Sequence, residues 1–341
     1  MGFGRLAQDY YVPAMQAIPN VQVTGVVDPL AKSLAQARVL LPEAQSETDL
    51  DGWLRSAALD ALVVATPPSQ HLSDWRSACN AGLPVFMEKP FPLPNEVSQL
   101  TENEPWDKLM VNFNRRFWPG YLRVKELIEE QRALGTAGAA HATIRLRTNA
   151  AKWSTVTTHR FDEQEGGALC DLGYQATDLA THLFSQSVKA VQAARTGAGP
   201  DEAVSMKLVL VDDTVVDCEV GYGDTNSEQV IVRTARGEIR SDNPNYLVWH
   251  HTSDAAIAKA LRRAADFGAL AYRGFFRNRS MLRYSVYVAL RRFVDSVRHA
   301  GTMTPGFHDA VRVAVAIGAA QRSISTGEIV TVPQIDGATQ G

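Results

Sequence analysis

Apolar runs of strand length, recurring with helix-length segments between them, constrain this chain most. Asp60-Ala61-Leu62-Val63-Val64-Ala65, Pro84-Val85-Phe86-Met87 and Leu109-Met110-Val111-Asn112 are such runs, and Thr66-Pro67-Pro68 stops the first. Upstream, residues 7–18 suit a helix and 21–27 a strand, while residues 50–58 and 69–81 suit further helices. Strands alternating with helices at this pitch predict a parallel sheet. Such sheets hold their ligands in the crevice outside the carboxyl ends of the strands, so the residues following each run are the candidates for chemistry.

Two of those positions are informative. Glu88-Lys89-Pro90 ends the 84–87 run, and Pro90 restricts the backbone of Lys89, which presents the ammonium group on a stiff turn, cis or trans. Met1-Gly2-Phe3-Gly4-Arg5-Leu6-Ala7 has the spacing GxGxxA, in which glycines permit a tight turn and close approach of backbone amides to a pyrophosphate. Gly2, Phe3, Gly4, Arg5 and Leu6 are therefore candidate cofactor contacts. Asp28, after the strand at 21–27, is placed to accept hydrogen bonds from an adenosine ribose. An acid there repels the extra phosphate of NADP and favours NAD, although Lys32 or Ser33 can accommodate a phosphate. A glycine loop of this kind hangs from a preceding strand, and no residue precedes Met1 to form it. The expectation is an incomplete N-terminus, with Met1 standing where that strand would end. His71 is a candidate dinucleotide or helix-start contact, with a surface helix position the equal alternative.

Composition narrows the partners. The chain has 341 residues, 45% hydrophobic and 21% charged, enough for two domains with their own cores. A net charge of -3 supplies no basic field for nucleic acid, which leaves small molecules as the expected partners. Cys79, Cys170 and Cys218 lack CxxC spacing, so neither a disulfide framework nor a metal site is expected, and a reducing cytoplasm fits. No apolar run approaches the roughly 20 residues needed to span a bilayer, and the start lacks the regions of a signal peptide.

The second half reads differently. After a helix at 121–132 come strand candidates at 139–147, 188–195, 204–211, 214–222 and 228–234, the pattern of an α+β domain. Residues 284–298 and 309–327 suit amphipathic helices. Between them, Leu169, Leu172, Ala176, Leu179 and Leu183 recur at helical spacing and form a core face. Asp171, Gln175, Asp178 and His182 share a second narrow arc of the same helix, a stripe that by itself reads as a solvated face. The preceding loop carries Trp153, His159, Arg160 and Asp162; an aromatic plate and an arginine suit a sugar-like or anionic substrate. Residues 246–279 contain scattered aromatic and basic side chains to which no chemistry is assigned.

The glycine loop, Asp28, Ala65-Thr66-Pro67-Pro68 with His71, Glu88-Lys89-Pro90 and Asn114-Arg115-Arg116-Phe117 together resemble the Gfo/Idh/MocA oxidoreductases, over nearly the whole chain. Glu-Lys-Pro at this place is the most specific element. The resemblance implies a Rossmann-type doubly wound parallel sheet at 1–117, here lacking its first strand. It implies an α+β domain at 118–305 with an open-faced, mainly antiparallel sheet that makes a homodimer or homotetramer contact, and a C-terminal helix and tail at 306–341 packing back on the first domain. It adds Thr66, Pro67, His71, Glu88, Lys89 and Arg116 as cofactor contacts, and Trp153, His159, Arg160 and Tyr174 as substrate contacts.

The implied activity is NAD(P)-dependent hydride transfer to or from a hydroxyl carbon of a sugar, cyclitol or related polyol. Lys89 and Asp171 match catalytic positions. The family carries Asp-x-x-x-His, with the histidine as acid/base, and this chain has Gln175 there. Glutamine has no titrating proton near neutral pH, and loss of a general acid/base typically removes ~10²–10⁴ in rate. Lys89, Tyr174 or His159 then has to manage the proton; His182 lies roughly 10 Å further along the helix axis. Two functions remain open: an oxidoreductase with an unconventional proton donor, or a catalytically impaired relative acting as a binding or partner subunit.

Overall fold

The computed structural model describes residues 1–101, 104–134, 140–149, 167–197, 199, 202–235, 237–242, 248–252 and 281–335, with backbone only for 249–252. These residues form two compact units, Met1–Asn114 with Leu282–Val311, and Arg115–Met281 with Arg312–Gly341.

The first unit is built from parallel strands β1 (Gly25–Val27), β2 (Gln45–Glu47), β3 (Leu62–Val64), β4 (Val85–Met87) and β5 (Leu109–Val111). Its helices are α1 (Val12–Ala17), α2 (Ala31–Leu40), α3 (Leu50–Leu54) and α4 (His71–Asn80). Val64 and all six residues of β4 and β5 have no exposed surface, which accounts for their unbroken apolar sequence. The strands form two sheets, β1-β2 and β3-β4-β5. Met1 and Gly2 stand in the slot between them: the Gly2 amide donates to Val27 O at 2.9 Å, the Ala65 amide to Met1 O at 2.9 Å, and the Met1 nitrogen to Val63 O at 2.8 Å. That dipeptide occupies the central place in the strand order, where the sequence pattern puts the end of a first strand.

The second unit contains α5 (Pro119–Ala133), α6 (Tyr174–Phe184) and an eight-stranded sheet. Its strands are β6 (His141–Asn149), β7 (Val188–Thr196), β8 (Ala203–Leu210), β9 (Val215–Gly223), β10 (Ser227–Thr234), β11 (Gly237–Asp242), β12 (Val248–Thr252) and β13 (Val330–Thr331). The order is β12-β11-β10-β6-β9-β8-β7-β13, antiparallel except for the parallel pair β6–β9. Alternation is clean in β8, where Val204, Met206, Leu208 and Leu210 are buried and Ser205 and Lys207 are exposed. On the polar face, cross-strand pairs such as Arg145–Glu219 at 2.8 Å and Arg233–Glu238 at 3.2 Å replace apolar contact.

The helices after residue 280 depart from the expected boundaries. Helix α7 (Met281–His299), expected in the second domain, lies almost wholly in the first unit. Its buried stripe includes Val286, Ala289, Leu290 and Phe293, and the Phe293 ring sits 5.6 Å from that of Phe86. Helix α8 (Phe307–Thr326), expected to pack on the first domain, belongs to the second unit from Arg312 onward. There Ser323 Oγ accepts from the Ala193 amide at 2.9 Å, and β13 pairs with β7. Helical periodicity reveals an apolar face but not the surface that covers it. Strands β11 and β12 were also absent from the sequence expectation.

Candidate active site

In the first unit, the glycine loop is fixed from three sides. Gly2 has φ of +78°, and a Cβ there would lie 2.7 Å from Ala65 O, so only glycine fits against the turn that follows β3. Gly4, by contrast, faces nothing within 4 Å, which leaves its backbone approachable by a phosphate. Phe3 is buried, and its amide donates to Asp28 Oδ2 at 2.7 Å; Asp28 Oδ1 accepts from the Leu30 amide at 2.8 Å. Asp28 therefore braces the loop as well as lying where a ribose would be read, and each of its oxygens keeps a second lone pair. Arg5 at the loop's exit is paired with Asp9 at 3.0 Å, and Leu6 leads into the helix.

That helix is widened over Ala7–Tyr11, where the Val12 amide reaches back five residues to Ala7 O. The widened turn falls where the Pro13 ring would otherwise meet the carbonyl of Asp9. It also aims Tyr11 inward. The Tyr11 hydroxyl donates to Glu88 Oε1; Asn112 Nδ2 donates to the same oxygen at 2.6 Å and to the Tyr11 hydroxyl at 2.9 Å. Glu88 Oε2 accepts from the Lys89 amide at 3.0 Å. Glu88 was expected at the cofactor; its carboxylate is instead 7% exposed and satisfied by these donors. Burial pushes its carboxyl above the ordinary value, against the opposing pull of Lys89, Tyr11 and Asn112.

Lys89 itself is half-buried, and the Lys89–Pro90 bond is cis. His71, 1% exposed, is neither a surface residue nor an open cofactor contact. Its Nδ1 lies 2.9 Å from Pro90 O and its Nε2 2.9 Å from Thr66 O, so it ties the turn after β3 to the turn after β4. Thr66 also donates its hydroxyl to Asp74 Oδ2 at 2.6 Å, while Pro67 is exposed at the lip of the same turn.

In the second unit, the polar stripe is buried rather than solvated. The stretch leading into α6 is widened over Leu169–Gly173, with the Tyr174 amide donating to Leu169 O. This adds a residue to the turn that leads from Asp171 into α6. Gly173 permits the packing: a Cβ there would lie 2.9 Å from Leu169 Cδ1 and 3.5 Å from Ile317 Cδ1. Asp171 is 8% exposed and Gln175 4%. Gln175 Oε1 is buried with no hydrogen-bond partner among the described residues, a cost unless something fills it. Tyr174 has no exposed surface.

Arg116, expected at the cofactor, is instead clamped to Asp178: Nε stands 3.0 Å from both carboxylate oxygens and a terminal nitrogen 2.5 Å from Oδ1. Its neighbour Arg115 pairs with Glu228 at 3.1 and 2.5 Å and lies over the Trp118 ring at 5.2 Å, while the Tyr121 hydroxyl donates to Glu228 at 3.0 Å. Burial opposes the Arg115 charge, but Glu228, then Tyr121 and Asp171, hold it above its ordinary range. The Arg115–Glu228 pair and the Tyr11–Glu88–Asn112 cluster have no local sequence signal, because their partners are far apart in the chain. Trp153, His159 and Arg160 lie outside the described residues.

Among known proteins, the sequence model described as "Oxidoreductase family, NAD-binding Rossmann fold" matches residues 1–113, and the "GFO/IDH/MocA C-terminal domain" model matches residues 121–240. An inositol 2-dehydrogenase of Rhizobium meliloti (strain 1021) is 24% identical over 293 residues, 81% of this chain and 82% of that protein. A scyllo-inositol 2-dehydrogenase (NADP(+)) of Bacillus subtilis (strain 168) is 25% identical over 199 residues, 57% of this chain and 52% of that protein. The fold is shared with a scyllo-inositol dehydrogenase from Lactobacillus casei solved with NAD(H) and scyllo-inositol, at a TM-score of 0.75, 18% identity and 97% coverage of each chain.

Proposed function

Because the chain belongs to the Gfo/Idh/MocA oxidoreductase family, matched by both of its domain models, we propose that it is an NAD(P)-dependent dehydrogenase acting on CH–OH groups of a cyclitol, an inositol in the first instance. The observation that carries this reading is the lysine turn: Lys89 sits after β4 with both neighbouring residues anchored, in the same unit as a glycine loop open at Gly4. The nicotinamide, when bound, supplies the hydride acceptor or donor. Gly2, Phe3, Gly4, Arg5 and Leu6 would lie along its pyrophosphate and Asp28 at its ribose. Lys89 would manage the proton, taking it from the hydroxyl on oxidation and returning it to the oxygen on reduction, while Asp171 would orient the hydroxyl and Gln175, which has no titrating proton, could only hydrogen-bond to it. The inositol dehydrogenases among the relatives support this substrate class.

NAD is the preferred dinucleotide, because a carboxylate at position 28 opposes a ribose phosphate. Three free thiols fit a reducing cytoplasm, and the open sheet face is the surface for homodimer or homotetramer formation. Calorimetric titration of NAD and NADP tests the cofactor assignment. NAD should bind more tightly, and Asp28→Asn should narrow the preference by about tenfold, roughly 1.4 kcal/mol. Binding of neither dinucleotide would overturn the assignment. Gln175 favours a second reading, a relative that binds cofactor or substrate without turnover.

A further inference from the structure

The lysine turn is held from elements distant in sequence, and one of its anchors starts at the nucleotide loop. Tyr11 lies seven residues after Gly4, at the end of the widened turn, 1% exposed, with its ring edge-on to Phe86 at 5.9 Å. Its hydroxyl can serve only one geometry there: it accepts from Asn112 Nδ2 and donates to Glu88 Oε1. Three donors, the Tyr11 hydroxyl, Asn112 Nδ2 and the Lys89 amide, converge on one carboxylate. The orientation of Asn112 agrees, since its amide group faces Glu88 while Oδ1 is left buried without a partner among the described residues. Such an arrangement suits an ionised acceptor, because a protonated acid would need an acceptor of its own.

We propose that Tyr11 is a positioning residue for Lys89: its hydroxyl, carried on the helix that follows the glycine loop, fixes the Glu88 carboxylate beside the lysine and so ties the nucleotide loop to the lysine's turn. Lys89 and Tyr11 are the titratable groups that bear on Glu88, the first from its own turn and the second from the loop helix; Asn112, at the end of β5, contributes a neutral donor. Tyr11 remains protonated, because burial and then the Glu88 charge raise its phenol well above the ordinary range. The relevance of this device to catalysis rests on the dehydrogenase reading, in which Lys89 acts on the substrate; the structural link between Tyr11 and the lysine's turn does not.

Tyr11→Phe separates the two, because it keeps the ring against Phe86 and removes only the hydroxyl. With Tyr11 gone as a donor, the Glu88 carboxylate keeps only Asn112 Nδ2 and the Lys89 amide, and the turn that carries Lys89 loses its tie to the loop helix. Reductive methylation of the full-length protein with carbon-13 formaldehyde, with the Lys89 signal assigned by Lys89→Arg, reads the surroundings of the lysine at one fixed pH without turnover. That signal should shift and broaden in Tyr11→Phe. In parallel, kcat should fall about tenfold while KM for the dinucleotide stays within about twofold. An unmoved Lys89 signal in a folded Tyr11→Phe protein overturns the inference. Absence of turnover in the wild type defeats the dehydrogenase reading alone, since the NMR signal still decides the link.

Discussion

An amide and an imidazole fill similar space one turn after Asp171, but only the imidazole takes a proton near neutral pH. Gln175 is buried, and its carbonyl oxygen has no hydrogen-bond partner among the described residues. Gln175→His should therefore raise turnover on inositols by at least about tenfold and add a limb to the pH–rate profile near ~6.5. A profile unchanged by the substitution would assign the proton to Lys89. Gly2 and Asp28 were read as candidates from motif spacing, while Lys89 and Asp171 took their expected roles from the family resemblance. The anchoring role of Glu88 was not legible: a glutamate at a strand end reads as solvated, and only Tyr11, 77 residues upstream, shows it to be an internal anchor. His71 is a similar case, since nothing in its local sequence announces that both ring nitrogens face carbonyls of two separate turns.

At the scale of elements, the short Asn114–Phe117 turn and α6 are joined by the Arg116–Asp178 pair, with side chains 6% and 0% exposed. A buried pair of this kind contributes little beyond what an apolar pair would, but removing one partner strands the other charge. Arg116→Ala should lower stability by about 3–5 kcal/mol, read as a drop in the urea midpoint with little change in slope. A loss under about 1 kcal/mol would show that Asp178 finds water or another cation. The core strands were readable because fully buried strands carry unbroken apolar sequence, and β6 to β10 because they alternate. The widened turns at Ala7–Tyr11 and Leu169–Gly173 were not readable, because one extra residue in a turn leaves the apolar spacing almost unchanged.

At the scale of the whole molecule, the residues proposed for chemistry fall in both units: the nucleotide loop and Lys89 in the first, Asp171 and Gln175 in the second. Sequence order alone misassigned α7 and α8 because the chain returns to the first unit after residue 281 and leaves it again after Val311. The polar face of the large sheet carries ion pairs such as Arg145–Glu219. The proposed activity is hydride transfer between a nicotinamide and a cyclitol. The most direct test is the formation of reduced nicotinamide from NAD or NADP across the inositol stereoisomers, with Lys89→Met measured beside the wild type. Turnover by the wild type on at least one isomer, falling about 10² or more in Lys89→Met with dinucleotide affinity retained, is the predicted result. Tight dinucleotide binding with no reduction on any isomer would contradict it and leave a non-catalytic relative in its place.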